Sequence, residues 1–277
     1  MPIKITILVE NSAGQLSSLL GEHGFSALVE ADDFRLLFDT GSGRAIIPNT
    51  QSLGLDLSEV NAVVISHGHY DHTGGLPPVL SRMEKVPVYL GEEAWADKFA
   101  LLPDGSERWI GMPAARDLLE KSGARFEMVD GPRELCPGII LTGPIPRTTD
   151  FEEVEPILRV KKAGELLPDP VSEDQALILK GEEGITVLTG CAHAGVVNTL
   201  LYAMQLTGAS GIHGLIGGFH LLFASEERLD KTVAFFKKAG IKMLAPCHCT
   251  GFRALAEIHR RVGEMMVPAG SGSVFQL

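Results

Sequence analysis

Alternation of apolar and polar positions divides the chain into short β-type runs separated by turn residues. Residues 3–9 read Ile-Lys-Ile-Thr-Ile-Leu-Val, the period-two pattern of a strand with one buried face. The runs 26–30 and 35–38 repeat it, and residues 41–49 form a Gly-containing loop that opens a short helix. Residues 60–66 are almost continuously apolar, which predicts a strand buried on both faces. Residues 73–85 predict a helix with Pro77 and Pro78 in its first turn, and 86–90 a further strand. From 91 to 150 the rhythm breaks: Trp95, Phe99, Pro103, Trp109 and Pro113 interleave with glycines around one short helix near 114–122. This stretch reads as an insertion, either a lid over a site or an ordinary surface subdomain.

The rhythm then resumes. Runs 175–180 and 185–189 predict a hairpin across Gly181-Glu182-Glu183-Gly184. Helices are expected over 195–207, 225–239 and 251–262, with strands over 214–217, 242–245, 265–267 and 273–275. No Pro/Gly/Ser linker, charge block or repeat divides the chain, so residues 1–277 are expected to form one α/β domain.

Composition narrows the partners. Of 277 residues 45% are hydrophobic and the formal charge is −11, so a packed core is expected and a nucleic acid or anionic membrane is a poor partner. A small anionic substrate in a local basic pocket stays compatible. The N-terminal residues lack a signal-peptide pattern and no run approaches the length of a membrane span. A cytoplasmic protein with Cys136, Cys191, Cys247 and Cys249 reduced is therefore expected.

The chemistry concentrates in His67-Gly68-His69-Tyr70-Asp71-His72, directly after the apolar run 60–66. Residues two apart in extended backbone face the same way, so His67 and His69 share one side. Asp71 and His72 follow as the chain turns. Four imidazole and carboxylate donors within six residues suit a transition-metal site. Gly68 removes bulk between the imidazoles, and Gly74 and Gly75 let backbone pass close behind.

This run resembles the HxHxDH signature of the metallo-β-lactamase superfamily. Phe38-Asp39-Thr40-Gly41 resembles the superfamily's first motif, whose Asp orients the metal ligands from behind. A finer resemblance is to the dihydropterin–ribofuranosylaminobenzene phosphate synthases of methanopterin biosynthesis. It is carried by His23-Gly24-Phe25-Ser26, Thr189-Gly190-Cys191-Ala192-His193-Ala194-Gly195, Gly217-Gly218-Phe219-His220-Leu221 and Pro246-Cys247-His248-Cys249-Thr250-Gly251. The resemblance implies a four-layer αββα sandwich with an inserted lid-like segment and two divalent ions. Zinc is the expected metal, with iron or manganese as alternatives.

The second half departs from the superfamily pattern. Cys191 stands where a bridging Asp is usual, and the usual third-His position is empty. His193 is expected to supply that imidazole, with Cys191 either a ligand or a small buried residue. His248 is expected as the last ligand and His220 as either a ligand or a substrate-facing acid. If 247–249 stays extended, either the His248 imidazole or the thiols face the metals, not both. Thr250 and Gly251 offer either a phosphate seat at a helix start or simple N-capping. His23 and Ser26 are candidate substrate contacts, and Asp71 would orient and deprotonate a water.

The expected activity is hydrolysis of a phosphate-bearing or ester substrate by metal-activated water. One alternative is a transferase joining a dihydropterin pyrophosphate to a ribosylated aminobenzene phosphate. A second is a mononuclear iron persulfide dioxygenase-like enzyme.

Overall fold

The computed structural model describes residues 2–14 and 17–277. In chain order come β1 (Ile3–Val9), β2 (Ser26–Ala31), β3 (Phe34–Phe38), α1 (Ile46–Ser52), β4 (Ala62–Val64), α2 (Tyr70–Thr73), α3 (Leu76–Leu80) and β5 (Val86–Leu90). Next are β6 (Asp97–Leu101), β7 (Glu107–Trp109), α4 (Arg116–Lys121), β8 (Ala124–Met128), β9 (Arg133–Cys136), β10 (Ile139–Leu141), β11 (Leu158–Lys162) and β12 (Glu165–Pro168). The last are β13 (Ala176–Gly181), β14 (Gly184–Thr189), α5 (Val196–Thr207), β15 (Gly214–Gly218), α6 (Glu226–Lys238), β16 (Met243–Cys247), α7 (Phe252–Val262) and β17 (Val274–Gln276).

These strands form a seven-stranded sheet (β17-β1-β2-β3-β4-β5-β8), a six-stranded sheet (β16-β15-β14-β13-β10-β9) and a small sheet (β12-β11-β6-β7). Alternation along each strand explains the layering. Ile3, Ile5 and Ile7 of β1 meet Leu177, Leu179, Leu188 and Ile216 of the second sheet in a core between the two sheets. Their neighbours point the other way. Leu8, Leu28, Leu37 and Val63 pack under α1, α3 and α4. Ile178, Val187 and Leu215 pack under α5, α6 and α7. Period-two patterning thus gives helix, sheet, sheet, helix. Helix α6 carries its own signals: Ser225 Oγ accepts the Arg228 amide, with Glu226 and Glu227 in the first turn and Lys237 and Lys238 in the last.

Three expectations need correction. The helix expected over 73–85 is confined to Leu76–Leu80, preceded by Gly74-Gly75, where a Cβ would collide with the Ser42 and Thr40 backbone. Residues 265–267 form no strand; a helical turn (Gly263–Met265) leads to Val267, whose amide donates to Leu244 O at 2.8 Å. Residues 91–150 are not one insertion, because β8 extends the first sheet and β9 and β10 extend the second. The added piece is the small sheet, built from β6–β7 and the distant β11–β12. Among the described residues no helix is long and apolar enough to cross a membrane.

Sheet direction places the site. Strands β1, β3 and β4 run parallel within the first sheet and β14, β15 and β16 within the second. The segments leaving these strands carry Glu10-Asn11, Asp39, the histidine run, Cys191–His193, His220 and His248.

Candidate metal centre

The segments after β4, β14, β15 and β16 bring their imidazoles together. Ring centroids of His67 lie 4.6 Å from His69, 4.2 Å from His72 and 4.6 Å from His193. His193 lies 4.1 Å from His220, and His72 lies 5.1 Å from His248. Donor atoms of His67, His69 and His193 fall mutually within 4.8 Å, as do those of His67, His72 and Cys191. A third such group joins His23, Asp71 and His248, and a fourth joins Cys191, His193 and His220.

Hydrogen bonds behind the rings decide which nitrogens face inward. Asp39 is fully buried and accepts the Ser66 amide and hydroxyl and His72 Nδ1, each at 2.7 Å. That fixes a proton on His72 Nδ1 and turns Nε2 inward. The Ser66 hydroxyl, having donated to Asp39, faces His67 Nδ1 at 2.9 Å as an acceptor. His67 Nε2 then faces inward, 3.0 Å from His69 Nδ1. His248 Nδ1 meets Asn11 Oδ1 at 2.9 Å, and its Nε2 faces His72 Nε2 at 3.2 Å and Asp71 Oδ2 at 3.3 Å. Cys191 Sγ stands 3.2 Å from His72 Nε2.

Electrostatics point the same way. Burial and the Lys98 ammonium push His69 down to about 3. Burial and neighbouring imidazoles hold His67 and His193 well below the ordinary range. Burial opposes ionisation of Asp71, but His72 and hydrogen bonds from His23 and His248 hold its carboxyl well below the usual range. Burial also opposes charge on His72, where Asp39 and Asp71 outweigh it and raise the imidazole. Neutral His67, His69 and His193 beside an ionised Asp71 match the protonation states a metal ligand set requires, and His72 would give up a proton on binding. Fit to a metal is tested by the orphaned atoms: His69 Nε2, both His193 nitrogens and His220 Nδ1 are buried without a hydrogen-bond partner. Buried polar groups are rarely left so, and a cation among these lone pairs gives the inward-facing donors the partner that protein groups do not.

Close packing and strain shape the cradle. A Cβ at Gly190 would collide with the Ser66 hydroxyl and crowd Asp39. A Cβ at Gly68 would enter the Ala94 backbone, so this glycine serves approach of the 92–95 turn rather than separation of the imidazoles. Asp39, His220 and His248 hold φ of 58°, 48° and 49°, left-handed conformations that cost roughly 1–2 kcal/mol each.

Several expected residues sit elsewhere than expected. Ser26 is fully buried and donates to Asp39 O at 2.8 Å, so it shapes the cradle and does not face a substrate. Thr250 is fully buried and its hydroxyl accepts the Phe219 amide at 3.1 Å, so it does not cap α7. Gly251 is the N-cap position of α7, with φ 77° and no side-chain cap bond, and packs against Leu222. His23 does reach the centre, with Nε2 3.2 Å from Asp71 Oδ2 and most of its side chain exposed. The extended reading of 247–249 fails, because β16 ends at Cys247 and His248–Thr250 forms a helical turn. Cys247 drops into the intersheet core, while His248 and Cys249 both reach the cluster.

Sequence reasoning missed the supports. Glu10 Oε1 accepts the His248 amide at 2.7 Å. Glu173 Oε1 accepts the Gly68 amide at 3.2 Å and pairs with the buried Lys98 at 3.0 Å, which also meets Asp169 at 2.8 Å. Lys98 lies on β6 and Tyr70 donates its amide to Ile110 O at 2.9 Å, so the small sheet is fastened to the histidine run at Gly68, through Glu173, and at Tyr70. The position of Glu10 after β1 was the one available signal; the Lys98 contacts had none. Asp174, pushed up to about 7 by burial, accepts the Ala194 amide at 2.7 Å next to His193.

Comparison with known proteins agrees with the fold. The profile of the metallo-beta-lactamase superfamily matches residues 20–223. The chain is 31% identical over 262 residues to the 7,8-dihydropterin-6-methyl-4-(beta-D-ribofuranosyl)-aminobenzene-5'-phosphate synthase of Methanocaldococcus jannaschii, covering 91% of this chain and 89% of that protein. An uncharacterised protein of the same organism is 34% identical over 92% of this chain and 93% of its own length. Among solved structures, Tm1679, a metal-dependent hydrolase of the beta-lactamase superfamily, superposes with a TM-score of 0.85 at 31% identity over 99% of both chains.

Proposed function

Because the chain belongs to the metallo-β-lactamase superfamily, we propose that it is a metal-dependent hydrolase acting on a phosphate-bearing or ester bond of a small anionic substrate. One observation carries the reading: His67, His69 and His193 on one side, and Asp71, His72 and His248 on the other, aim donor atoms into adjoining points around Cys191. Divalent ions held there, with zinc expected and iron or manganese as alternatives, would supply Lewis acidity and lower the pKa of a water.

The chain's own residues divide the remaining work. Asp39 locks His72 directly and His67 through Ser66. Asp71, ionised and 3.2 Å from His23, suits a donor that anchors and orients a water. A carboxyl held so low is a weak base, so proton storage falls elsewhere. His220 is placed for it: its Nε2 lies 4.0 Å from Glu155 Oε1, itself held by Arg228 at 3.1 Å. A proton delivered from His220 would serve a leaving oxygen. The acidic surface disfavours nucleic acid or an anionic membrane as partner, and a cytoplasmic setting suits the free thiols.

The test is turnover of aryl phosphate mono- and diesters, carboxylic esters and lactones by zinc-, manganese- and iron-loaded protein against the chelated form. Metal-dependent cleavage of one class, lost in His69→Ala, supports the reading. No cleavage in any metal form contradicts it.

The likeness to the M. jannaschii synthase favours a second reading, transfer of a dihydropterin from its pyrophosphate to a ribosylated aminobenzene phosphate. Incubation with both compounds separates the two. Diphosphate release with a coupled product identifies a transferase, and a free hydroxymethyl pterin identifies hydrolysis.

A further inference from the structure

Cys249 has no role in the ligand arrangement above, yet its thiol is held at the cluster. The cause is local backbone. With His248 at φ 49° and a helical turn over His248–Thr250, the chain bends so that consecutive side chains reach one region. Donor atoms of Cys191, His248 and Cys249 lie mutually within 4.8 Å. The His220 amide donates to Cys249 Sγ at 3.3 Å, and the thiol faces Cys191 O at 3.5 Å. An amide aimed at sulfur stabilises a thiolate. Space for the sulfur is kept by Gly218, where a Cβ would collide with Cys249 Sγ. Cys191 is 3% exposed and belongs also to the groups with His67 and His72 and with His193 and His220. The cluster therefore has more donors than six nitrogen and oxygen ligands, and the surplus is sulfur.

We propose that Cys249 is a metal ligand together with Cys191, giving the centre a dithiolate lobe, bordered by His220 and His248, that takes a thiophilic divalent ion such as zinc or cadmium. The inference rests on the metal-centre reading and adds a ligand to it. On binding, two S–H bonds break, two metal–sulfur bonds form and two protons leave to solvent; nothing is oxidised. Thiolate donors favour zinc and cadmium over manganese or magnesium, so the lobe also predicts which metal the protein selects.

Metal-free protein is titrated with cadmium and with cobalt while thiolate-to-metal charge-transfer absorption is recorded and bound metal is measured separately. The wild type is expected to show a band of two-thiolate intensity. Cys249→Ser and Cys191→Ser should each lower it to about half, and the double variant should lose it while still binding metal through the imidazoles. Full intensity in Cys249→Ser overturns the inference. Metal bound without any thiolate band also overturns it, leaving the nitrogen and oxygen centre standing; no bound metal at all overturns both. Should a variant fail to fold, alkylation of the wild type decides. Cys249 is expected to react when metal-free and to be protected by zinc, with Cys136 on the remote strand β9 reacting alike in both states. Equal reaction of Cys249 with and without zinc overturns the proposal.

Discussion

His72 Nε2 stands 3.2 Å from His248 Nε2, while Asp39 and Asn11 hold the outer nitrogen of each ring. Two inward nitrogens this close, with Asp71 Oδ2 3.3 Å from the second, form a ready ligand set for a cation. The cradle is thus preorganised for an ion at a cost in stability, visible in the left-handed backbones of Asp39 and His248.

Metal loading should accordingly stabilise the fold. At a metal concentration of about 100 times Kd the gain is about 2.7 kcal/mol, which for a chain of this size corresponds to a rise in Tm of roughly 5–10 °C. Differential scanning calorimetry with and without zinc checks this. An unchanged Tm contradicts it.

Asp39→Asn keeps the shape and removes the charge that fixes His72 and Ser66. Outer partners of this kind are worth roughly 10–100-fold in metal affinity. Competition with a chromophoric chelator should show a loss of that size, and an affinity within twofold of wild type would remove Asp39 from the account.

The metal-free protein should lose stability in acid over a defined window. His69 sits at about 3 when folded against an ordinary 6.5, and His67 and His193 are displaced in the same direction. A depressed imidazole means the unfolded chain binds the proton first, so stability is complete above pH 6.5 and falls as pH drops toward 3. His72, raised in the fold, opposes this, but it is one group against three. Tm of chelated protein at pH 7, 5.5 and 4.5 should decline steadily; a flat profile would contradict these environments.

Lys98→Met leaves Asp169 and Glu173 buried without their cation. Breaking such a pair from one side costs about 3–5 kcal/mol. Denaturant unfolding should show that loss, and replacing all three residues with apolar ones should recover most of it. A loss under about 1 kcal/mol would mean that the small sheet is not anchored through Lys98.

The sequence exposed the parts of this centre that are contiguous or end a strand. His67–His72 is legible because four donors share six residues, and His193, His220 and His248 because each follows an apolar run. Cys249 is not legible because His248 turns left-handed where an extended segment is expected. Thr250 looked like a cap because burial under the 219 loop leaves no trace in the residue type. The small sheet leaves no mark in the sequence because Glu107–Trp109 is exposed throughout and Glu165–Pro168 nearly so, without the apolar alternation that marks β1 or β14. Lys98 and Glu173 are 75 positions apart in a chain whose patterning says nothing of their meeting.

A crystal structure of the zinc-loaded protein with anomalous maps at the metal edge decides whether the histidine cluster is the metal centre. Ions are expected about 2.0–2.1 Å from nitrogens of His67, His69 and His193 and of His72 and His248, with Asp71 a ligand beside the second set. Anomalous density elsewhere on the chain, with these imidazoles unligated, would contradict it.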